Sequence, residues 1–423
     1  VARRTLPRRA TLCASEREID ALTGAVLYCL MSDSRRRHRC TEVELPTRRS
    51  ILLGGAGAAF ALPALGSPAN AILPDWSIEL VNSTMARFTP ATLGGWDYTR
   101  GLYLYGQYLV YKRTGNQAYF NYIKSWVDRF VDGNGNINNA FNNLDAMRSG
   151  VLLPILHRET GQQRYKTAAD KIRNRFNTYP RTADGGMIHN TGFVGQLWAD
   201  GVYMAQPFIA DYAKQYNQTY GFDESTRNMV TYFNRLRAGN GLMYHAYDAD
   251  GSSSWATGTD RASDFHWARA IGWVAMAAID ILEVLPANHV RRQAMIDIVR
   301  HLAGGFQRFQ DPASGRWFQV VDRGTTSGNW TETSASAMFT YMISRGVERG
   351  YLDASFKPVA TRGYQGVLGR ISLGADGRTN VREIVVGTSP GSLSYYFGRP
   401  RETNDFHGLG AFLVMNEQLT RVP

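Results

Sequence analysis

The 423-residue chain has three cysteines, Cys13, Cys29 and Cys40, and none beyond residue 40. Everything after that point folds without a disulfide framework or a thiolate metal site. A long apolar run is also missing: Gly54 to Leu65 is short, rich in glycine and interrupted by Pro63, which makes a poor membrane-spanning helix. The body has no basic run either. Residues 1–71 hold 11 Arg and 6 Asp+Glu, so the formal charge of +11 shrinks to 36 Lys+Arg against 30 Asp+Glu, or +6, for the rest. That balance fits an acidic small ligand or an ordinary basic surface, and nothing in it calls for nucleic acid. No His/Asp/Glu cluster has the close spacing of a metal site on one helix, so neither a metal nor a cofactor is expected.

What is present begins with a leader. Thr47-Arg48-Arg49-Ser50-Ile51-Leu52-Leu53 sets an arginine pair before the small and apolar run, which ends in Ala69-Asn70-Ala71, a small-x-small cleavage pattern. This resembles a twin-arginine export signal. The expected organisation is a leader over 1–71, with translation starting at Met31, and one domain over 72–423. That domain is expected in the periplasm or outside the cell, free of the membrane after processing.

With 44% hydrophobic and 12% aromatic residues, the body can bury a large core. Tyr119, Ile123, Trp126 and Phe130 form an apolar stripe with spacings of four, three and four, and Tyr165, Ala169, Ile172 and Phe176 repeat it 46 residues later. Each stripe follows a Thr-Gly turn, Thr114-Gly115 or Thr160-Gly161, as in successive αα-hairpins. A second repeat reads Gly-x-x-x-polar, at Gly135 to Asn139, Gly185 to His189, Gly241 to His245 and Gly315 to Gln319.

Helix patterns pair as outer and inner helices over 99–113 with 116–131, 142–159 with 162–177, 197–216 with 223–237, 264–285 with 288–308, and 333–349 with 355–371. A first helix over 77–88 is left to pair with a last one over 406–420. Six hairpins that close on themselves predict an all-α (α/α)6 toroid with short strand-like segments at one rim; an open solenoid is the alternative.

In a closed ring the segments after each Gly-x-x-x-polar stretch gather at one mouth, and they are loaded with chemistry. Asp145 follows Asn142-Asn143-Leu144, and Asp200 follows Gln196-Leu197-Trp198-Ala199. Arg269 and Trp273 stand in Trp267-Ala268-Arg269-Ala270-Ile271-Gly272-Trp273, and Trp96 and Tyr98 precede the second ring helix. Carboxylates, imidazoles, arginine and flat aromatic faces on one rim describe a sugar site. Each residue also has a plainer role: Asp145 and Asp200 as helix caps or first-turn acids, His189 and His245 as bonded strand ends, the tryptophans as core, and Arg269 over Trp273 as a packing pair. Their recurrence at one architectural position favours the site.

At these residues the chain resembles the unsaturated rhamnogalacturonyl hydrolases, glycoside hydrolase family 105, with the unsaturated glucuronyl hydrolases of family 88 as more distant relatives. The likeness runs from about Trp96 to Leu419. It is carried by His157-Arg158-Glu159-Thr160-Gly161, Gly185-Gly186-Met187-Ile188-His189, Leu197-Trp198-Ala199-Asp200-Gly201, Tyr244-His245-Ala246-Tyr247-Asp248, Trp267 to Trp273, Glu332-Thr333-Ser334-Ala335-Ser336 and Thr403-Asn404-Asp405-Phe406-His407-Gly408-Leu409-Gly410.

The resemblance implies the same toroid, Asp200 as acid/base, Asp145 as the second site carboxylate, and Trp96, Tyr98, His189, Trp198, His245, Arg269 and Trp273 as sugar-binding residues. It also implies the substrate and reaction. A 4,5-unsaturated uronic acid at the non-reducing end of a pectin-type oligosaccharide is removed by hydration of its C4=C5 bond. A carboxylic acid protonates C4, water adds at C5, and the hemiketal opens to expel the neighbouring sugar. Burial beside Trp198 and the like charge of Asp145 are expected to keep Asp200 partly protonated. Arg269 is expected to hold the uronate carboxylate or its hydroxyls, and Trp273 to offer a stacking face. Three readings compete with this one: a relative acting on ulvan or glycosaminoglycan fragments, an inverting glycosidase of saturated sugars, and a non-catalytic sugar-binding toroid. Oligomeric state is not legible.

Overall fold

The first three helices start where a side chain accepts from a free backbone N–H group. The structure, a computed structural model, describes residues 74–421, so the leader, its arginine pair and the Met31 start lie outside the described residues. Asp75, Asp97 and Asn116 cap α1 (Trp76–Arg87), α2 (Tyr98–Thr114) and α3 (Gln117–Val127) with their side chains. The second hairpin begins with a broken helix, α4 (Asp145–Arg148), a 3₁₀ turn (Ser149–Val151) and α5 (Leu152–Thr160), followed by α6 (Gln163–Arg175). Sequence periodicity predicted one helix there. Pro154 has no N–H for the Gly150 carbonyl, and Gly101 of α2 crosses so close that an added Cβ would sit 2.8 Å from Ser149 Cα.

The next hairpins are α7 (Asp200–Gln215) with α8 (Tyr220–Leu236), α9 (Ala268–Val284) with α10 (Arg292–Phe309), and α11 (Thr333–Glu348) with α12 (Lys357–Leu368). After α12 come the short α13 (Leu393–Phe397) and then α14 (Phe406–Leu419), capped by Asp405. The Thr-Gly repeat is structural: Gly115 and Gly161 both sit at φ 69°, and the preceding threonine hydroxyls make the same pair of backbone bonds.

The ring is inside out relative to the expected pairing. The first helix of each pair, not the second, lines the axis: α2, α4–α5, α7, α9, α11 and α14 are inner, and α3, α6, α8, α10 and α12 are outer. Every residue of α14 is buried, and α9 and α11 nearly match it, whereas α6, α10 and α12 bury one stripe. A helix with neighbours on all sides is apolar or small all round and loses the amphipathic period, so the stripes at Tyr119 and Tyr165 mark outer helices. Closure is between α2 and α14, with α1 on the outside. It depends on small residues, because a Cβ at Gly410 would fall 2.5 Å from Leu102 Cγ.

The second repeat positions the chemistry. Gly135, Gly185, Gly241 and Gly315 have φ of 76°, 89°, 89° and 71°, the left-handed region that favours glycine. In the first three turns the residue three before glycine donates its N–H to the carbonyl just after it: Asp132 to Asn136, Thr182 to Gly186, Ala238 to Leu242. The fourth turn is one residue longer, from Asp311 to Arg316. Gly377, at φ 70°, is a fifth member between the paired strands Ile371–Leu373 and Thr379–Val381, hidden in the sequence because its last position is Val381.

The polar residue ending a turn then docks on the preceding inner helix. Leu144 N–H donates to the His189 carbonyl, Ala199 to His245 and Ala268 to Gln319. Short ladders support the same rim: Gln196–Trp198 with Ala246–Asp248, Trp317–Phe318 with Thr331–Glu332, and Ile384–Val385 with Arg401–Glu402.

Candidate active site

Asp145 and Asp200 are the first residues of α4 and α7, and neither side chain caps its helix. The capping alternative therefore fails for both. Each carboxylate faces an imidazole supplied by the following turn: His189 Nε2 is 3.7 Å from Asp145 Oδ2, and His245 Nε2 is 3.2 Å from Asp200 Oδ2. The second contact lies off the line of a hydrogen bond and leaves both atoms buried without a partner, so it acts by charge and proximity. The Asp200 side chain is 14% exposed and that of Asp145 33%, while His245 is fully buried.

Aromatic rings fix these imidazoles. His189 stacks on Trp198 at 4.4 Å and Trp198 on Phe193 at 5.3 Å, which leaves the large apolar Phe193 39% exposed at the rim. His245 stacks on Trp267 at 4.7 Å, and its Nδ1 lies 2.7 Å from the Tyr396 hydroxyl. Tyr396 accepts from the Gly391 N–H, so its own proton points to Nδ1, and His245 presents Nε2–H to Asp200.

Four expected binding residues are packed or bonded within the protein. Arg269 lies over Trp267, 4.7 Å from its ring, not over Trp273, and its guanidinium donates to the Val385 and Val386 carbonyls. It is locked as a positive wall. Trp273 is 1% exposed with Tyr203 stacked on it at 5.1 Å, so its face is covered. Trp96 stacks on Trp126 and donates to the Ala146 carbonyl at 2.7 Å, which ties it to the start of α4. Tyr98 stands edge-on to Trp273 at 6.3 Å.

These residues form a connected set at the N-terminal ends of the inner helices. Residues 76–422 match the family described as Glycosyl Hydrolase Family 88. The chain belongs to this family. Among solved structures, a family 105 glycoside hydrolase of C. acetobutylicum superposes with a TM-score of 0.80 at 32% identity, covering 82% of this chain and 100% of that one. A protein of Agrobacterium fabrum is 31% identical over 218 residues, 47% of this chain and 93% of its own. The unsaturated rhamnogalacturonyl hydrolase YesR of Bacillus subtilis is 27% identical over 270 residues, 61% of this chain and 74% of its own. The chain is a glycoside hydrolase of the 88/105 group, and its six-hairpin ring is the toroid that the resemblance implied.

Electrostatics in this family 88/105 hydrolase reverse one expectation. Burial raises the Asp200 carboxyl, but His245 and His189 outweigh it, so the group is held below the usual carboxylate range. Asp145 is the carboxyl pushed up, by burial first, with Asp200 and Asp97 adding to the shift and His189 opposing it. The error in the sequence reading was to set Asp200 against Trp198 and Asp145 alone. Its nearest polar neighbour is an imidazole from another hairpin.

Other site groups went unrecognised in the sequence. Tyr396 lies between α12 and α14, outside the hairpin count. Glu332 caps α11 and accepts the Val385 N–H, which holds the carbonyls that lock Arg269. Glu332, Asp405 and His407 all lie in segments that carry the family resemblance, with no role assigned from the sequence. Among the described residues no group of three or more His, Cys, Asp or Glu is placed to share a metal ion, and no helix is long and apolar enough to cross a membrane.

Proposed function

We propose that this hydrolase removes a 4,5-unsaturated uronic acid from the non-reducing end of rhamnogalacturonan-type oligosaccharides by hydrating the C4=C5 bond. The observation that carries this reading is the pair Asp145 and Asp200, each facing an imidazole at the N-terminal ends of inner helices. Helix N-termini and the locked Arg269 guanidinium favour an anionic ring, and a uronate supplies one. The name of the YesR relative supports rhamnogalacturonan as the polymer.

In the free enzyme Asp200 is ionised beside His245. Entry of the substrate carboxylate adds a negative charge next to it and favours its protonated form; Asp145, the carboxyl that burial raises, is a proton source within electrostatic reach. Asp200 then donates to C4, positive charge develops at C5 and the ring oxygen, water adds at C5 as its surplus proton returns to the Asp200 carboxylate, and the hemiketal opens. His245, its tautomer set by Tyr396, stabilises the carboxylate left behind. General acid–base help of this kind is worth about 10²–10⁴-fold in rate.

The test is to incubate the purified protein with rhamnogalacturonan fragments made by a lyase and follow ultraviolet absorbance of the conjugated alkene together with sugar release. Absorbance falling as sugar appears is the expected result. Sugar released with the alkene intact, or binding with neither change, overturns it. We further propose export through the leader; a reporter fused to residues 31–71 should cross the inner membrane, and Arg48→Lys with Arg49→Lys should stop it.

A further inference from the structure

The ring has a second cavity, at the mouth opposite Asp145 and Asp200, and it holds a charge without a counter-charge. Arg148, the last residue of α4, is 2% exposed and lines this cavity of about 480 Å³. Its guanidinium donates to the Tyr203 hydroxyl at 2.8 Å and lies against the Tyr105 and Tyr203 rings, 5.5 and 4.0 Å from their centres. Among the described residues it has no ion-pair partner, and its Nε has no hydrogen-bond partner. A buried guanidinium is costly unless an anion and full hydrogen bonding offset its desolvation.

The acids of the cavity do not supply that anion. Asp280 accepts from the Tyr341 hydroxyl at 2.8 Å, and burial pushes its carboxyl up to about 6, with Glu283 adding to the rise and Arg148 and Tyr341 opposing it. Asp211 makes no side-chain hydrogen bond among the described residues and is also raised by burial, against Arg158 and Lys214. Both carboxyls, with Arg148, surround the half-buried Tyr105 hydroxyl, which has no partner of its own among the described residues. The outer part of the mouth is satisfied by contrast. Lys112, Arg113 and Arg345 stand in the last turns of α2 and α11, where cations suit the carbonyl ends, and each is paired with a glutamate.

Six Lys and Arg side chains line the cavity against four carboxylates, so a cation would add to the excess and an anion would relieve it. A bare inorganic anion would leave the apolar walls of Leu109, Ile155 and Val414 in water. The volume falls within the roughly 300–1,000 Å³ of small-molecule sites and admits a single sugar. Tyr203 and Trp273, buried and stacked at 5.1 Å, stand between this cavity and the catalytic site. We propose that the cavity is a second ligand site, for a free uronic acid or a hydroxy-carboxylate of that size. Its carboxylate pairs with Arg148, and its hydroxyls meet Tyr105 and Asp211. The site does not depend on the hydration reaction.

The experiment titrates the full chain with D-galacturonate in a calorimeter, beside D-galactose and D-galactosamine, for the wild type, Arg148→Gln and Leu109→Trp. Galacturonate should bind at least about tenfold tighter than the neutral or the cationic sugar, because each of those leaves Arg148 without an anion. Both variants should weaken that uptake at least about tenfold, Arg148→Gln by removing the charge and Leu109→Trp by filling the cavity. The charged and titratable groups facing Asp280 are Arg148, Glu283, Tyr105, Tyr203 and Tyr341. As Asp280 protonates it ceases to compete for Arg148, so affinity should rise from about pH 8 to about pH 5. Uptake that neither variant changes belongs to the catalytic mouth and overturns the site. So do absent uptake, galactose or galactosamine binding as tightly as galacturonate, and affinity that does not rise on acidification. Should Arg148→Gln fail to fold, Leu109→Trp decides alone. A wild type that takes up galacturonate in this way but leaves the alkene intact sinks the hydration reading and not this site.

Discussion

At one mouth of the ring Arg113 lies 2.7 Å from Glu417 and 2.8 Å from Asp75, Lys112 3.1 Å from Glu159, and Arg345 within 2.6 Å of both Glu283 and Glu348. At the other, among the described residues, Asp145 and Asp200 have no Lys or Arg partner and face only imidazoles. The first mouth collects the C-terminal ends of the inner helices, where cations suit the carbonyl ends, and it surrounds a cavity of about 480 Å³. The second collects N-terminal ends, where carboxylates suit the dipoles but keep protons that can move. Charges neutralised by close partners hold the ring together. Charges set against rings are free to react.

The difference is largest for Asp200. Asp200→Asn keeps shape and removes the titrating proton, so turnover should fall about 10²–10⁴-fold with unfolding unchanged; more than about a tenth of wild-type activity would contradict the contrast. Tyr396→Phe should cost about tenfold in kcat, because His245 then chooses its tautomer freely, and the acid side of the pH profile should shift.

At the ion-paired mouth, Asp280 is pushed up to about 6 by burial, against the opposing effects of Arg148 and the Tyr341 hydroxyl. Its folded pKa exceeds the unfolded value, so the fold favours the protonated acid; that stabilisation is complete below about pH 4 and lost as pH rises through about 6. Asp280→Asn should remove a decline of roughly 1–3 kcal/mol across that window in denaturant titrations, with activity within about twofold. Smallest of all, Lys112→Met, which breaks a half-exposed pair, should change stability by less than about 1 kcal/mol and leave turnover alone.

Local signals in the sequence carried far. Thr-Gly turns and the 46-residue stripe marked the hairpins because each depends on a glycine conformation and one helix face. Gly-x-x-x-polar marked the rim because a left-handed glycine and a docking carbonyl recur at fixed spacing. The assignment of inner and outer helices failed because an amphipathic stripe is most visible on the half-exposed helix, whereas α9 and α14 conceal their role by being apolar or small throughout.

In the site, Asp145, Asp200, His189, His245 and Trp198 were legible as residues that follow the turns. Their electrostatics were not. His245 reaches Asp200 from the next hairpin, and Tyr396, Arg269 and the Val385–Val386 carbonyls meet across long stretches of chain. Such meetings follow from ring closure, which no local pattern encodes.

The central claim is that a proton from the Asp200 site reaches C4 of an alkene. Running the reaction in deuterium oxide and reading the product by NMR tests it most directly. One deuterium at C4 in each released uronate, with none incorporated by Asp200→Asn, is the predicted result. A released sugar whose C4=C5 bond survives without deuterium would contradict it.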